Sequence, residues 1–314
     1  MSSSKHGAES AVATHPTADA IEARAQPSLL FAANGSPDAD AAFRFASALA
    51  RRDDLLLRVL TVLEPLPAVP SHQAGVGWHS AIETELGEQI LNRVRSELAK
   101  QENPPSALMC MLVGGAGATI AQAALQWNAK YVVVGPGRHS ALERFLTGDT
   151  VVRVVRHSAA PVIAVPASGG ILPSNGVAAL DFGKASLAAA HSAAQLIGEG
   201  VLHLLHVRPE IDLPATDPSA WSEVYESGSQ SLLTKIADEL KESAPGVRTT
   251  TTLLRGHVST VLLDYADTVD ADLIAVGQHG YGVVDRFLFG TVAQTVLRAA
   301  PSAVLVAPPD DRGS

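Results

Sequence analysis

The stretch Val133-Val134-Gly135, followed by Glu143-Arg144-Phe145-Leu146-Thr147-Gly148, returns later as Val276-Gly277 and Asp285-Arg286-Phe287-Leu288-Phe289-Gly290. The register is constant: 277 − 135 and 290 − 148 both give 142. It extends back to Gly114 and Gly256, and forward to Arg156 and Arg298, then Pro166 and Pro308. A period this long is a whole domain rather than a solenoid unit. The chain of 314 residues therefore reads as two related domains, the number its length allows.

Working outward, residues 1–26 are small and polar without a period and read as a disordered tail. Residues 27–167 form the first domain, and 168–174, rich in Gly, Ser and Pro, form the linker. Residues 175–309 form the second domain and 310–314 a short tail. Within the second domain, apolar strands are expected at 177–180, 201–207, 249–254, 273–276 and 303–306. Helices are expected at 184–197, 220–241, 259–269 with Ser259 as N-cap, and 291–299. Strands apolar throughout and separated by helices predict a parallel sheet covered on both faces. The fold class is α/β: two doubly wound, Rossmann-like domains, each with a five-stranded parallel sheet. Ligands of such sheets bind beyond the C-terminal strand ends.

Composition removes several function classes. A formal charge of −9, with 23 bases scattered among 32 acids, does not suit a nucleic-acid backbone. Aromatic residues at 4% leave few stacking platforms. The single cysteine, Cys110, lies in the run Ala107–Val113 and reads as a buried strand thiol with no charge beside it. No secretory signal and no run of about twenty apolar residues is present, so a cytoplasmic protein without a membrane span is expected. His203 and His206, three apart on a strand, face opposite ways and share no metal. No Gly-x-Ser-x-Gly elbow supports hydrolysis by a serine nucleophile. Asp264, Asp267, Asp270 and Asp272 read as a solvated face, and Asp285-Arg286 and Glu143-Arg144 as structural ion pairs.

The chemistry concentrates after the fourth strand of the second repeat: Gly277-Gln278-His279-Gly280, nine residues, then Gly290-Thr291 opening a helix. Backbone without Cβ can approach a phosphate closely. The N–H groups of Gly290, Thr291 and Val292 would sit at a helix N-terminus, where orphan donors and the dipole favour an anion. The Thr291 hydroxyl adds a donor to phosphate or a ligand for Mg²⁺. The spacing is neither a dinucleotide fingerprint nor a P-loop. Thr291 and Asp181 also fit plain helix caps, and His279 a loop hydrogen-bonder.

These residues resemble the universal stress protein family, whose signature G-x-x-G, nine residues, G-[ST] is matched by Gly277, Gly280, Gly290 and Thr291. The resemblance includes Asp181 after the first strand and Leu205-His206-Val207 ending the second. It implies an adenine nucleotide alpha hydrolase-like fold and an ATP site, with Mg²⁺. Asp181 and Val207 would hold adenine and ribose, while Gly277, Gly280, Gly290, Thr291 and Val292 hold the phosphates. It also implies pairing of the two domains through their last strands, with a further homodimer open.

The first repeat departs from the signature. Asn34 replaces the aspartate, Val62 follows Thr61, Gly135 is kept, Arg138 replaces the second Gly, and Asp149 follows Gly148. A carboxylate ~4 Å from a phosphate, at an effective dielectric near 20, costs on the order of 4 kcal/mol. A hydrogen bond to a charged group returns only roughly 1.5–3 kcal/mol. The first site is thus expected to be empty or weak. The expectation is a binding and signalling protein with at most slow ATP hydrolysis, since no general base or arginine finger is positioned. The alternatives are a nucleotide-free dimeric scaffold and an ATP-hydrolysing or adenylating enzyme. Protein partners are unspecified.

Overall fold

The computed structural model describes residues 26–64, 77–135, 150–209, 218–279 and 290–310. The expected N-terminal tail up to residue 25, Gly280, Arg138, Gly148, Asp149 and both loop ion pairs lie outside the described residues.

The first repeat runs β1 (Ser28–Ala32), a 3-10 turn at Pro37–Ala39, α1 (Asp40–Arg52), β2 (Leu56–Leu63), α2 (Gly77–Ala99) and β3 (Ala107–Val113). It continues through α3 (Ala116–Gln126), β4 (Ala129–Val134), α4 (Thr150–His157) and β5 (Val162–Ala164). The second repeat runs β6 (Asn175–Ala179), α5 (Lys184–Ile197), β7 (Gly200–Arg208), α6 (Pro218–Ser243) and β8 (Val247–Arg255). It ends with α7 (Val258–Thr268), β9 (Leu273–Gly277), α8 (Thr291–Ala299) and β10 (Ala303–Ala307). The strands form one sheet of ten, in the order β3-β2-β1-β4-β5-β10-β9-β6-β7-β8. All five strands of each repeat run parallel. The repeats join through their last strands, antiparallel, with Leu305 opposite Ile163.

Such strands are apolar on both faces because helices cover both. One face packs Leu29, Phe31, Val59, Ala178, Leu204 and Leu305 under helices that include α1 and α5. The other packs Leu30, Leu60, Val132, Val177, Ile274 and Val304 under helices that include α3, α4, α7 and α8. Each layer runs without a break across both repeats. Among the described residues no helix is long and apolar enough to cross a membrane.

Four sequence expectations shift. The strand expected at 177–180 is β6, Asn175–Ala179, because the N–H groups of Ser174 and Asn175 donate to Asp272 at 3.0 Å and fix its start. Asp272 is exposed, as expected of a solvated face, and is in addition a structural acceptor. Ser259 lies inside α7 and is buried, since the helix starts earlier, with His257 as N-cap. Cys110 is half-buried, because β3 is an edge strand that also exposes Leu108, Leu112 and Val113. Burial still pushes its thiol pKa up, against the buried Arg58 beside it, which the sequence reading did not place there.

Arg52, in the last turn of α1, reaches across the repeat junction. Its guanidinium donates to the carbonyls of Leu196 at 2.6 Å and Gln195 at 3.2 Å, at the end of α5. Those carbonyls lack helical partners, and a cation suits the negative helix end. Arg52 Nε also holds Asp53 at 2.8 Å, and Lys130 meets the same carboxylate at 3.3 Å. Burial raises the Asp53 pKa, but Arg52 and Lys130 outweigh it and leave the carboxyl below its ordinary 3.8. A lowered folded pKa means stability that is complete above the unfolded value and lost as pH falls through the folded one. The stability gap between the natural chain and Asp53→Asn should thus shrink on acidification from about pH 5 to about pH 3. Urea unfolding at each pH measures it, and the gap is on the order of 1 kcal/mol or less for a partly screened pair.

Candidate functional site

Strands β6 and β9 are neighbours, and the helices that follow them lie on opposite faces. Their C-terminal ends form the switch point where a doubly wound sheet opens a cleft. Asp181 stands two residues past β6, held there because Leu180 N–H extends the pairing to Leu205 O at 2.8 Å. Asp181 Oδ1 accepts the Gly183 N–H at 2.9 Å, and the Asp181 N–H donates to Ser186 Oγ at 3.3 Å. This Asx turn places a carboxylate beside the N-terminus of α5, whose cap is Gly183.

Between them, Phe182 adopts φ 64°, a left-handed conformation that a bulky residue rarely takes. His206 supports it. The imidazole, 5% exposed, lies 4.5 Å from the Phe182 ring between centroids. Its Nδ1 meets the Leu180 carbonyl at 2.6 Å and its Nε2 the Tyr225 hydroxyl at 2.8 Å. The carbonyl makes Nδ1 the donor, which leaves Nε2 to accept from Tyr225. His206 thus ties the Asp181 corner to α6. His203, on the opposite face as expected, bonds Asn175 at 3.1 Å and Thr250 at 2.9 Å. Burial, with Arg248 beside it, lowers its pKa. Val207, next to His206, is buried at the end of β7.

The glycine motif divides into two roles. A Cβ on Gly277 would stand 2.8 Å from Ser186 N and 2.9 Å from the Ala185 carbonyl carbon, so this glycine is required for α5 to pack on β9. Gly290 is the N-cap of α8, and its N–H donates to Gln278 O at 3.0 Å. That donor, expected to face an anion, is therefore engaged within the loop. Thr291 and Val292 open the helix, and no side chain caps it. Thr291 is exposed and is not the cap, and Val292 is half-buried. Close to Gly290 in space, with its Cα 3.8 Å from where a Cβ on that glycine would stand, His279 carries a buried Nδ1 without a hydrogen-bond partner.

The first repeat keeps the frame and changes the groups. Asn34 Oδ1 accepts the Ser36 N–H at 2.9 Å in the same kind of turn. Gly35, at φ 71°, takes the left-handed place that Phe182 holds in the second repeat. Thr61 replaces His206, and its buried Oγ1 has no partner. Val62 holds at the end of β2 the place that Val207 holds at the end of β7, but is half-buried where Val207 is buried. Gly135 would bring a Cβ to 3.0 Å from Ala39, the packing role of Gly277 again. Arg93 donates to Gly35 O at 3.3 Å while paired with Asp40 at 2.8 Å. The sequence reading found Asp181 and the glycines but missed Phe182, His206 as a support, and Tyr225. The one legible signal was that Asn34-Gly35 and Thr61 change together relative to Asp181-Phe182 and His206.

The model of the universal stress protein family matches residues 27–166 and again 176–308. A universal stress protein of Mycolicibacterium smegmatis is 26% identical over 315 residues, spanning 92% of this chain and 99% of that protein. The crystal structure of a universal stress protein from Archaeoglobus fulgidus superposes with a TM-score of 0.63 at 18% identity, covering 91% of this chain and 97% of its own. A putative universal stress protein from Pseudomonas aeruginosa gives 0.59 at 16% identity, covering 92% and 96%. The chain belongs to the universal stress protein family and carries two of its domains in tandem.

Proposed function

We propose that the chain binds ATP, with Mg²⁺, in its second repeat and acts as a stress-response binding and signalling protein of the cytoplasm. Residues 27–167 and 175–309 are its two domains, joined by 168–174. The observation that carries the reading is the start of α8, which has no side-chain cap and follows a loop containing an unpartnered buried His279 Nδ1. A helix N-terminus in this state favours an anion. The N–H groups of Thr291 and Val292 would take the phosphate oxygens, with Gly277, Gly280 and Gly290 keeping the backbone close. The Asp181 carboxylate would accept from a ribose hydroxyl, and the backbone at Val207 would meet the adenine. Among the described residues no three His, Cys, Asp or Glu side chains form a metal group. Mg²⁺ would arrive on the phosphates, with the Thr291 hydroxyl as its protein ligand. In the first repeat, Asn34, Arg138 and Asp149 would leave a weak or empty site.

Nucleotide bound here would bias contacts with protein partners rather than be turned over, because among the described residues no group is oriented by a partner as a general base for water. Thermal unfolding of the full chain tests this. A ligand at one hundred times its Kd stabilises the folded state by about 2.7 kcal/mol. The midpoint should rise with MgATP and saturate at one nucleotide per chain. An unchanged midpoint favours the scaffold, and turnover well above background favours the enzyme.

A further inference from the structure

Gln278 lies between Gly277 and His279 and is 5% exposed. Its N–H donates to Ala307 O at 2.8 Å, and its carbonyl accepts the Gly290 N–H at 3.0 Å. These two bonds tie the end of β9 to β10 and to the N-cap of α8, inside the second repeat. The third bond leaves it. Gln278 Nε2 donates to the carbonyl of Val155 at 2.7 Å, in the last turn of α4 of the first repeat.

Both partners of that bond need it. The last carbonyls of a helix have no partner within the helix. A buried amide side chain is costly unless it is paired. Val155 is itself 2% exposed, so water competes little for either group. The repeat offset puts Pro136 in the place of Gln278. Proline has neither a backbone N–H nor a side-chain amide. The first repeat therefore cannot build the counterpart of the bond to Ala307 O or of the bond to Val155 O.

We infer that the junction between the end of β9 and the start of α8, where the second repeat would hold phosphate, is completed by the first repeat: Gln278 is a positioning residue acting through the Val155 carbonyl of α4. The tandem thus holds one composite site, and its occupancy is coupled to the last turn of α4. This deepens the ATP reading and rests on it for the ligand, while the anchor itself stands on geometry alone. It also gives the first repeat a use that does not depend on its binding anything.

The test is Gln278→Met in the full chain, which keeps the volume and removes the amide. Without nucleotide, hydrogen exchange should accelerate in peptides covering 150–158 and 290–294 and stay unchanged over 28–63. Unchanged exchange in the 150–158 peptides overturns the anchor. Titration with ATP and with adenosine reads the positioning role. ATP affinity should fall about three- to tenfold, the worth of one hydrogen bond. Adenosine affinity should hold, because the Asp181 corner is untouched. Equal weakening of both ligands, or of neither, overturns the positioning role. Should the natural chain bind neither ligand, the ATP reading fails and the positioning role with it, while the exchange measurement still decides the anchor.

Discussion

Thr291→Asp is expected to lose ATP while the fold gains slightly in stability. The substitution copies the first repeat, where Asp149 holds the corresponding place. A carboxylate ~4 Å from a phosphate costs about 4 kcal/mol at an effective dielectric of 20 and about 1 kcal/mol in bulk water. Thr291 is exposed, so the loss falls between these limits, roughly 10- to 100-fold in Kd. In the free chain the same acid stands in the first turn of α8, where it stabilises the helix by about 0.3–1 kcal/mol. Calorimetric titration and urea unfolding therefore move in opposite directions. A fall in both would show instead that the helix had been damaged, and an unchanged Kd would remove the phosphates from this end of α8.

The second large effect concerns His206. His206→Ala leaves the Leu180 carbonyl without its imidazole and removes the ring against Phe182. An unsatisfied buried acceptor costs about 1–3 kcal/mol, and a lost aromatic contact about 0.5–1.5 kcal/mol. The expected loss of stability is about 2–4 kcal/mol. Phe182 without its support is left with the steric cost of φ 64°, which glycine does not carry. His206→Thr combined with Phe182→Gly reproduces the pairing of Thr61 with Gly35. The double variant should cost less than the two single ones added, by about 0.5–3 kcal/mol of coupling. Additive costs in urea unfolding would mean that the imidazole does not hold the turn.

What the sequence disclosed depended on periodicity. The helices at 184–197 and 291–299 were read to the residue because an apolar period ends at Gly198 and begins after Gly290. The parallel order of the strands followed from runs apolar throughout, which only a doubly covered sheet explains. The edge position of β3 was not legible: Ala107–Val113 is as apolar as a central strand, and only the topology leaves its outer side without a partner strand. Phe182 was opaque for another reason, because propensity gives no hint that a bulky residue will take a left-handed turn. Gln278 stood in the motif as an unspecified position between two glycines. Its meaning comes from a carbonyl 123 residues away, in the other repeat.

The most direct test of the central claim is to denature the freshly purified full chain and its Thr291→Asp variant and quantify released nucleotide by chromatography. The account predicts about one adenine nucleotide per natural chain, since one repeat of two retains the motif, and little or none from the variant. No nucleotide from either chain, together with no stabilisation by added MgATP, would contradict it and leave a scaffold built on the same ten-stranded sheet.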